Sequence, residues 1–521
     1  MLQRSTYRQA DRLLSKDLVR LVHAVQERWG AARLAVLHKG EARRAELRHG
    51  QTAPLNGTVA IRQENWHVDP VPAQLLERRV ELIGGCSRKE LIDGMNSGAK
   101  GYVADLWNMT HNEPDALLRA HKNIERAADL RLAYVDTDGG RIRINPQSTT
   151  RLMCAPRPLH VLSHVGLGFE QPVAAAFLDL ALLATYSGEK LRQRQGGIHL
   201  YLHGVRGHEE AGLWKDLFMY LEAHFGMPRG TFRATVKLDN LAVVLEADEV
   251  LYELRHHAAG LALAPQGYAA DHVALFSTPE RPALPDRGHI GFNAAFLRSV
   301  SLRAISICHR RGVHAMGASA YVLPPETRDL IKPDYLEMIA DKEREALDGH
   351  DGTLVAHPGL VNAAMAEFNK SMPRAHQMDY QPEDHTTLED LTRPPTGELT
   401  TEGIQCAIRV VIKALTTYHE HQGLVEHGGR LHDRSSVYLS MLLLWHWTQS
   451  KACFITSTGL EVHNDVMKFL IRKEGEKLFA THDAAHRERA KLAAQRLTAL
   501  VLSPDTPPEF MELVQEMNAL Q

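Results

Sequence analysis

Arg233-Ala234-Thr235-Val236-Lys237-Leu238-Asp239 alternates polar and apolar side chains, which is the period of a β-strand presenting one set to each face of a sheet. Arg233, Thr235, Lys237 and Asp239 share one face, and Ala234, Val236 and Leu238 share the other. A helix-like stretch, Leu241 to His257, follows, and then a short apolar run from Gly260 to Ala264. Strand, helix and strand in that order predict a βαβ unit with parallel strands. Working outward, the same punctuation recurs. Upstream are strands at Val80 to Ile83, Gly101 to Leu106, Leu152 to Ala155 and His199 to His203, with a helix opened by Ser87 and another from Glu209 to Phe225. Downstream are His314 to Ala318 and Leu354 to His357. The fold class is therefore α/β, and the commonest way to close this many parallel strands is a TIM (β/α)8 barrel. The polar face of 233–239 then points to the barrel interior.

Helical segments flank the barrel. Residues 10–50 carry Leu18, Leu21, Val22 and Val25 at helical spacing, and a turn-rich stretch with Pro54, Asn56 and Pro70 to Pro72 ends that segment. A Pro- and Thr-rich passage holds Pro373, Pro382, Pro394 and Pro395, and beyond it Glu402 to Glu420, Ser435 to Gln449 and Asn464 to Leu502 read as helix. The expected division is 1–75, an N-terminal helical segment; 76–371, the barrel; 372–400, a linker; and 401–521, a C-terminal helical unit.

Composition narrows the function classes. A net charge of -3 gives no electrostatic footprint for nucleic acid or an anionic membrane. No apolar run reaches the ~20 residues of a membrane helix, and Met1-Leu2-Gln3-Arg4-Ser5 is not followed by the apolar core of a signal peptide. Cys86, Cys154, Cys308, Cys406 and Cys453 are scattered, which fits reduced thiols and a cytoplasmic location. The expected partner is a small molecule.

Several stretches resemble the malate synthase family in its shorter, A-type form. They include Arg78-Arg79-Val80-Glu81-Leu82, Asn96-Ser97-Gly98-Ala99-Lys100, Pro228-Arg229-Gly230-Thr231 and Asp248-Glu249-Val250-Leu251-Tyr252-Glu253-Leu254-Arg255. Leu284-Pro285-Asp286-Arg287, Cys308-His309-Arg310-Arg311-Gly312, Gly349-His350-Asp351-Gly352-Thr353 and Ala356-His357-Pro358-Gly359-Leu360 continue the series in the family's order. The resemblance implies the barrel, an N-terminal helical clasp and a C-terminal helical plug. It also implies a Claisen-type condensation of acetyl-CoA with glyoxylate, followed by thioester hydrolysis to malate. In that chemistry magnesium polarises the glyoxylate oxygen, an arginine stabilises oxyanion charge, and a carboxylate removes a proton from the acetyl methyl group.

Matched residue by residue, the resemblance keeps some of this apparatus and changes the rest, which marks a divergent member. The family's base aspartate corresponds to Asp433 in His432-Asp433-Arg434-Ser435. A helix N-cap is the plainer reading of the same residue. The family's Met-Ala-Asp-Phe-Glu-Asp strand end reads Val103-Ala104-Asp105-Leu106-Trp107-Asn108, so Asp105 stays while Trp107 and Asn108 replace an acidic pair. Trp107 would narrow the pocket, stack on a ligand or simply pack. The strand-end arginine falls at Ala155, and Arg157, two residues on, is the candidate carboxylate anchor. Of the two magnesium ligands, one corresponds to Asp239 and the other to Gly267, which has no oxygen to offer. The expectation is that no cofactor is held, with Asp239, and Asp105 in a rearranged site, as the ligands if magnesium binds. Lys237 stands where the family has an aliphatic residue. It would be an ion-pair partner for Asp239, a fixed cation in place of magnesium, or a Schiff-base lysine. His203-Gly204 stands where the family has Pro-Lys. Met316 and Gly317, in Met316-Gly317-Ala318-Ser319-Ala320, and His357 and Pro358 match stretches implied to bind the pantetheine and adenine of CoA; strand-end packing is the alternative.

The leading expectation is an enzyme making or breaking a carbon–carbon bond in a small oxo acid, with an acyl-CoA or related thioester, without the usual magnesium. In it Asp433 is the proton acceptor, Lys237 the charge-stabilising group and Arg157 the anchor. The alternatives are malate synthase itself and a non-catalytic binding protein that keeps the fold.

Overall fold

The computed structural model describes residues 13–49, 58–111, 113–165, 167, 172–325, 332–418, 420 and 424–519. Pro54, Asn56 and Met1 to Ser5 lie outside them. The strand read at 233–239 is β5, Phe232–Leu238, and all seven of its residues are buried. The others are β1 Val80–Gly84, β2 Gly101–Asp105, β3 Arg151–Ala155, β4 Ile198–Leu202, β6 Ala258–Leu263, β7 His314–Ala320 and β8 Gly352–Val355. Each pairs in parallel with its neighbour in sequence, and β1 pairs with β8, closing an eight-stranded barrel. The expected strands are thus present, shifted by one or two residues at their ends. The alternation in β5 holds as well: Thr235 Oγ1 accepts from Arg78 Nη1 at 3.0 Å, and Lys237 Nζ lies 5.0 Å from the Tyr201 ring, so odd positions face inward.

Local signals set the helices between strands. Ser87 accepts from the Glu90 N–H while Glu90 caps back onto the Ser87 N–H, a capping box opening Arg88–Met95. The stretch after β5 is not one helix but two, Leu241–Leu245 and Ala247–Glu253, broken at Glu246. The Glu246 carboxylate accepts from the His208 N–H at 3.0 Å and meets His208 Nδ1 at 2.8 Å, a tertiary contact that periodicity does not register.

Two compact units result, and they cut across the linear division. The first is Met1–Leu238, Ala242–Ala264 and Leu302–His385. It contains the barrel and helix α1, Lys16–Arg48, which is capped by Ser15 and buries Leu18, Leu21, Val22 and Val25. The second is Asp239–Leu241, Pro265–Ser301 and Thr386–Gln521. Its helices include α2 Thr401–Thr417, α3 Arg434–Gln449, α4 Asn464–Leu478 and α5 Ala484–Leu502. Long-range bonds tie its separate segments together: Trp447 Nε1–H donates to Leu284 O at 2.8 Å, and Thr400 N–H to Asp286 Oδ1 at 3.0 Å. The five cysteines are unbridged. Among the described residues no helix is long and apolar enough to cross a membrane.

Candidate active site

In a parallel barrel the C-terminal strand ends form one face, where functional side chains collect. Asp105 closes β2 and is fully buried. Its Oδ1 accepts from the Trp107 and Asn108 N–H groups, both at 2.8 Å, and Thr110 Oγ1 donates to its carbonyl at 2.7 Å. This pinned turn holds the carboxylate beside β3, because Asp105 pairs with Ala155 in register and Leu106 N–H donates to Ala155 O at 3.0 Å. One residue past β4, His203 brings Nε2 to 3.6 Å from Asp105 Oδ2. Burial pushes the Asp105 carboxyl up. His203 and the Asn108 and Trp107 N–H groups outweigh it and leave Asp105 below its ordinary value. Asp105 Oδ2, His203 Nε2 and Asn108 Oδ1 are buried without a hydrogen-bond partner.

Arg157 is also completely buried, and its fork is filled from within the protein. Nε and Nη2 donate to Asp179 at 2.9 and 2.6 Å, the Arg157 N–H donates to Asp179 Oδ2 at 3.0 Å, and His121 Nε2 reaches Asp179 Oδ1 at 3.1 Å. Burial opposes ionisation of Asp179, but Arg157 and His121 hold it well below the usual carboxylate range. The expected anchor is therefore engaged in a bidentate ion pair. Asp179 lies in the otherwise apolar helix Ala175–Leu183, and a lone acid there is a sequence signal for a buried cationic partner that the reading above passed over. Trp107 packs edge-on to His160, with ring centroids 6.0 Å apart.

Lys237 is 3% exposed, inside the barrel. Met316 is buried, and Gly317 leaves room for Glu345, whose carboxylate would lie 2.3–2.9 Å from a Cβ at that position. Lys342 Nζ and Thr353 Oγ1 hold that carboxylate at 3.1 and 2.6 Å. His357 Nδ1 accepts from Gly359 N–H at 3.0 Å, capping the turn Pro358–Leu360. Met316 and Gly317 are thus packed within the barrel, and His357 caps the turn that holds Pro358.

The second unit holds the remaining candidates. A Cβ built on Gly267 would come within 2.8 Å of Asp239 Cβ, so the two positions matched to the family's magnesium ligands do lie side by side. Asn240 Nδ2 donates to Asp239 Oδ1 at 2.8 Å. Magnesium calls for several oxygen ligands, and this pair supplies one carboxylate. Among the described residues no group of three or more His, Cys, Asp or Glu side chains is arranged to hold an ion. The residues at 239 and 267 do not reproduce a two-carboxylate site.

Asp433 caps α3, accepting from Ser436 N–H at 2.9 Å. Around it, Arg287 donates through Nη1 to Ser436 O at 3.0 Å, Ser440 Oγ at 2.9 Å and His432 Nδ1 at 3.2 Å. Burial and the neighbouring guanidinium push His432 down to about 2, so it is neutral and can accept this bond. Burial also lowers Arg287, to about 10, against the opposing charge of Asp433. The sequence reading singled out Asp433 but not the arginine that braces its turn.

Comparison with known proteins adds the context. Residues 151–394 match the profile described as "Malate synthase, TIM barrel domain". The chain is 32% identical to malate synthase of Myxococcus xanthus over 93% of this chain and 91% of that protein. It is 30% identical to malate synthase A of Escherichia coli over 82% of this chain and 81% of that one. A solved Haloferax volcanii malate synthase, a pyruvate/acetyl-CoA ternary complex, aligns at 14% identity and a TM-score of 0.44, covering 80% of this chain and 98% of that one.

Proposed function

We propose, from the premise that this chain belongs to the malate synthase family, that it catalyses the family's Claisen-type condensation of acetyl-CoA with glyoxylate to give malate. The observation that carries this is likeness to malate synthases along nearly the whole chain, together with Asp433 at the start of α3. Asp433 is the proton acceptor for the acetyl methyl group, and Lys237 is a buried cation to stabilise developing negative charge. The full-length likeness reverses the ranking given by the residues alone, in which a magnesium-free variant came ahead of malate synthase itself.

A second reading keeps the carbon–carbon bond chemistry but exchanges glyoxylate for another small oxo acid and dispenses with magnesium. It is favoured by one specific observation, Gly267 set against Asp239 where a second carboxylate is called for.

One assay separates the two readings. Purified protein is given acetyl-CoA and glyoxylate, with magnesium and with chelator, alongside Asp433→Asn and Lys237→Ala. Magnesium-dependent malate formation, lost in Asp433→Asn, supports the first reading. Turnover of a different oxo acid, insensitive to chelator and lost in Lys237→Ala, supports the second. No turnover across a panel of oxo acids would leave a binding protein.

A further inference from the structure

Within the second unit, a cleft of about 260 Å³ opens between the end of the helix Pro265–Phe276, the loop that follows it, the segment 394–397 and the last turn of α3. Its walls are mostly apolar: the Phe276 ring, Leu284, Pro282, Pro285, Pro394 and Pro395. A single water needs only about 10–15 Å³ of such space, so the cleft admits a small organic molecule. Apolar walls with a few polar groups among them are the usual lining of a site for one.

The polar groups divide into those already used and those with bonds to give. His446 Nε2 accepts from Leu284 N–H at 3.2 Å, and His272 Nε2–H donates to Thr392 O at 3.0 Å. Burial pushes His446 down to about 4 and lowers His272 as well, so both rings are neutral. Ser277 Oγ, by contrast, is buried with no hydrogen-bond partner. Arg281, at the rim, sets its guanidinium 5.4 Å from the centroid of the Phe276 ring. That contact takes one face of the guanidinium and leaves its N–H edges to pair with an anion. The adjacent acid, Glu280, is held by Lys451 at 2.8 Å. Among the described residues that line the cleft, none carries a carboxylate. The site therefore offers one cation and one hydroxyl beside an apolar surface.

We propose that this cleft binds a small planar carboxylate with an apolar body, its ring against Phe276 and the prolines and its carboxylate accepting from Arg281 and from Ser277 Oγ–H. Inorganic phosphate has no apolar body to fill the walls, and an ammonium meets Arg281 as a like charge. The site is separate from the proton acceptor. Asp433 caps the start of α3, and His446 lies in its last turn, about 20 Å away along the helix. A ligand held here is bound away from Asp433, whichever oxo acid the enzyme takes.

The test is calorimetry on the full-length protein with benzoate as the probe and benzamide and benzylamine as its neutral and cationic counterparts. Benzoate is expected to bind about tenfold or more tighter than benzamide, with benzylamine weakest. Arg281 is exposed, so Arg281→Gln keeps the fold, and it should bring benzoate to the level of benzamide. Ser277→Ala should weaken benzoate by about fivefold without lowering Tm, because the hydroxyl it removes has no partner. Asp433→Asn should bind benzoate within about twofold of wild type, since the two sites are additive at that separation. Absence of benzoate binding, or equal binding by wild type and Arg281→Gln, overturns the proposal. Loss of binding in Asp433→Asn alone puts the probe at the reaction site and overturns it too. A lowered Tm in Ser277→Ala overturns the role given to that hydroxyl.

Discussion

At the N-terminal end of the barrel strands, Arg78 donates to Glu81 at 2.7 and 3.1 Å, to Thr235 Oγ1 at 3.0 Å, to Ala259 O at 3.4 Å and to Tyr201 OH at 2.9 Å, while Tyr201 O–H donates to Glu81. All five guanidinium donors are used. At the C-terminal end of the same barrel, Asp105, His203 and Asn108 are buried as deeply and leave three atoms without partners. The network around Arg78 is thus complete, whereas the group around Asp105 at the mouth is not. A filled network costs nothing further to keep dry and stiffens the strands around it. An unfilled one is completed by ordered water or a ligand. The comparison teaches that burial alone does not mark a functional polar residue: equally buried groups differ in how fully they are bonded.

Sharp contrasts follow from this difference. Arg78→Met strands the Glu81 carboxylate and is expected to destabilise the protein by about 3–5 kcal/mol, read as a fall in the denaturant midpoint. His203→Gln at the mouth is expected to shift stability by no more than about 1 kcal/mol. If the two variants unfold alike, the floor and the mouth do not differ in kind. Asp433→Asn lies outside the barrel unit and isolates chemistry from stability. Asparagine caps a helix as well as aspartate does, so α3 should keep its stability while malate formation falls roughly 10²- to 10⁴-fold. Retained activity in a folded Asp433→Asn protein would remove Asp433 as the proton acceptor.

The floor carries a pH signature too. His314 Nε2–H donates to Leu76 O at 2.9 Å, and burial, partly opposed by Asp351, pushes the ring down to about 4. Its folded value lies below the ordinary ~6.5, so between those values the unfolded chain binds the extra proton. The stability associated with neutral His314 is full above about pH 6.5 and is lost as pH falls toward 4, by at most about 1.4 kcal/mol per pH unit. Replacing His314 with Asn should flatten that limb of a stability-versus-pH curve; an unchanged slope would assign it to other buried histidines. The smallest effect is expected from Ser87→Ala, which removes half of a capping box at about 1 kcal/mol and should leave turnover alone. A change in kcat there would show that the first barrel helix couples to the site.

The polar–apolar alternation at 233–239 and the punctuation around it were enough to read the barrel, because strand period and turn chemistry are local properties of the chain. Asp433 as an N-cap was legible for the same reason, since a cap is settled within three residues. The family, too, could be read from motif order alone. Pairings were not. Arg157 looked available as an anchor until Asp179, 22 residues on, was found to fill its fork. His203 looked like one substitution among several until the barrel set it 3.6 Å from Asp105, 98 residues earlier in the chain. Glu246, at the helix break, bonds His208, likewise out of reach of helical periodicity. In each case the deciding contact joins residues that only closure of the sheet and packing of its helices bring together. The sequence could therefore name the residue types the chemistry needs, and the tertiary structure decided which of them are already paired and which still lack a partner.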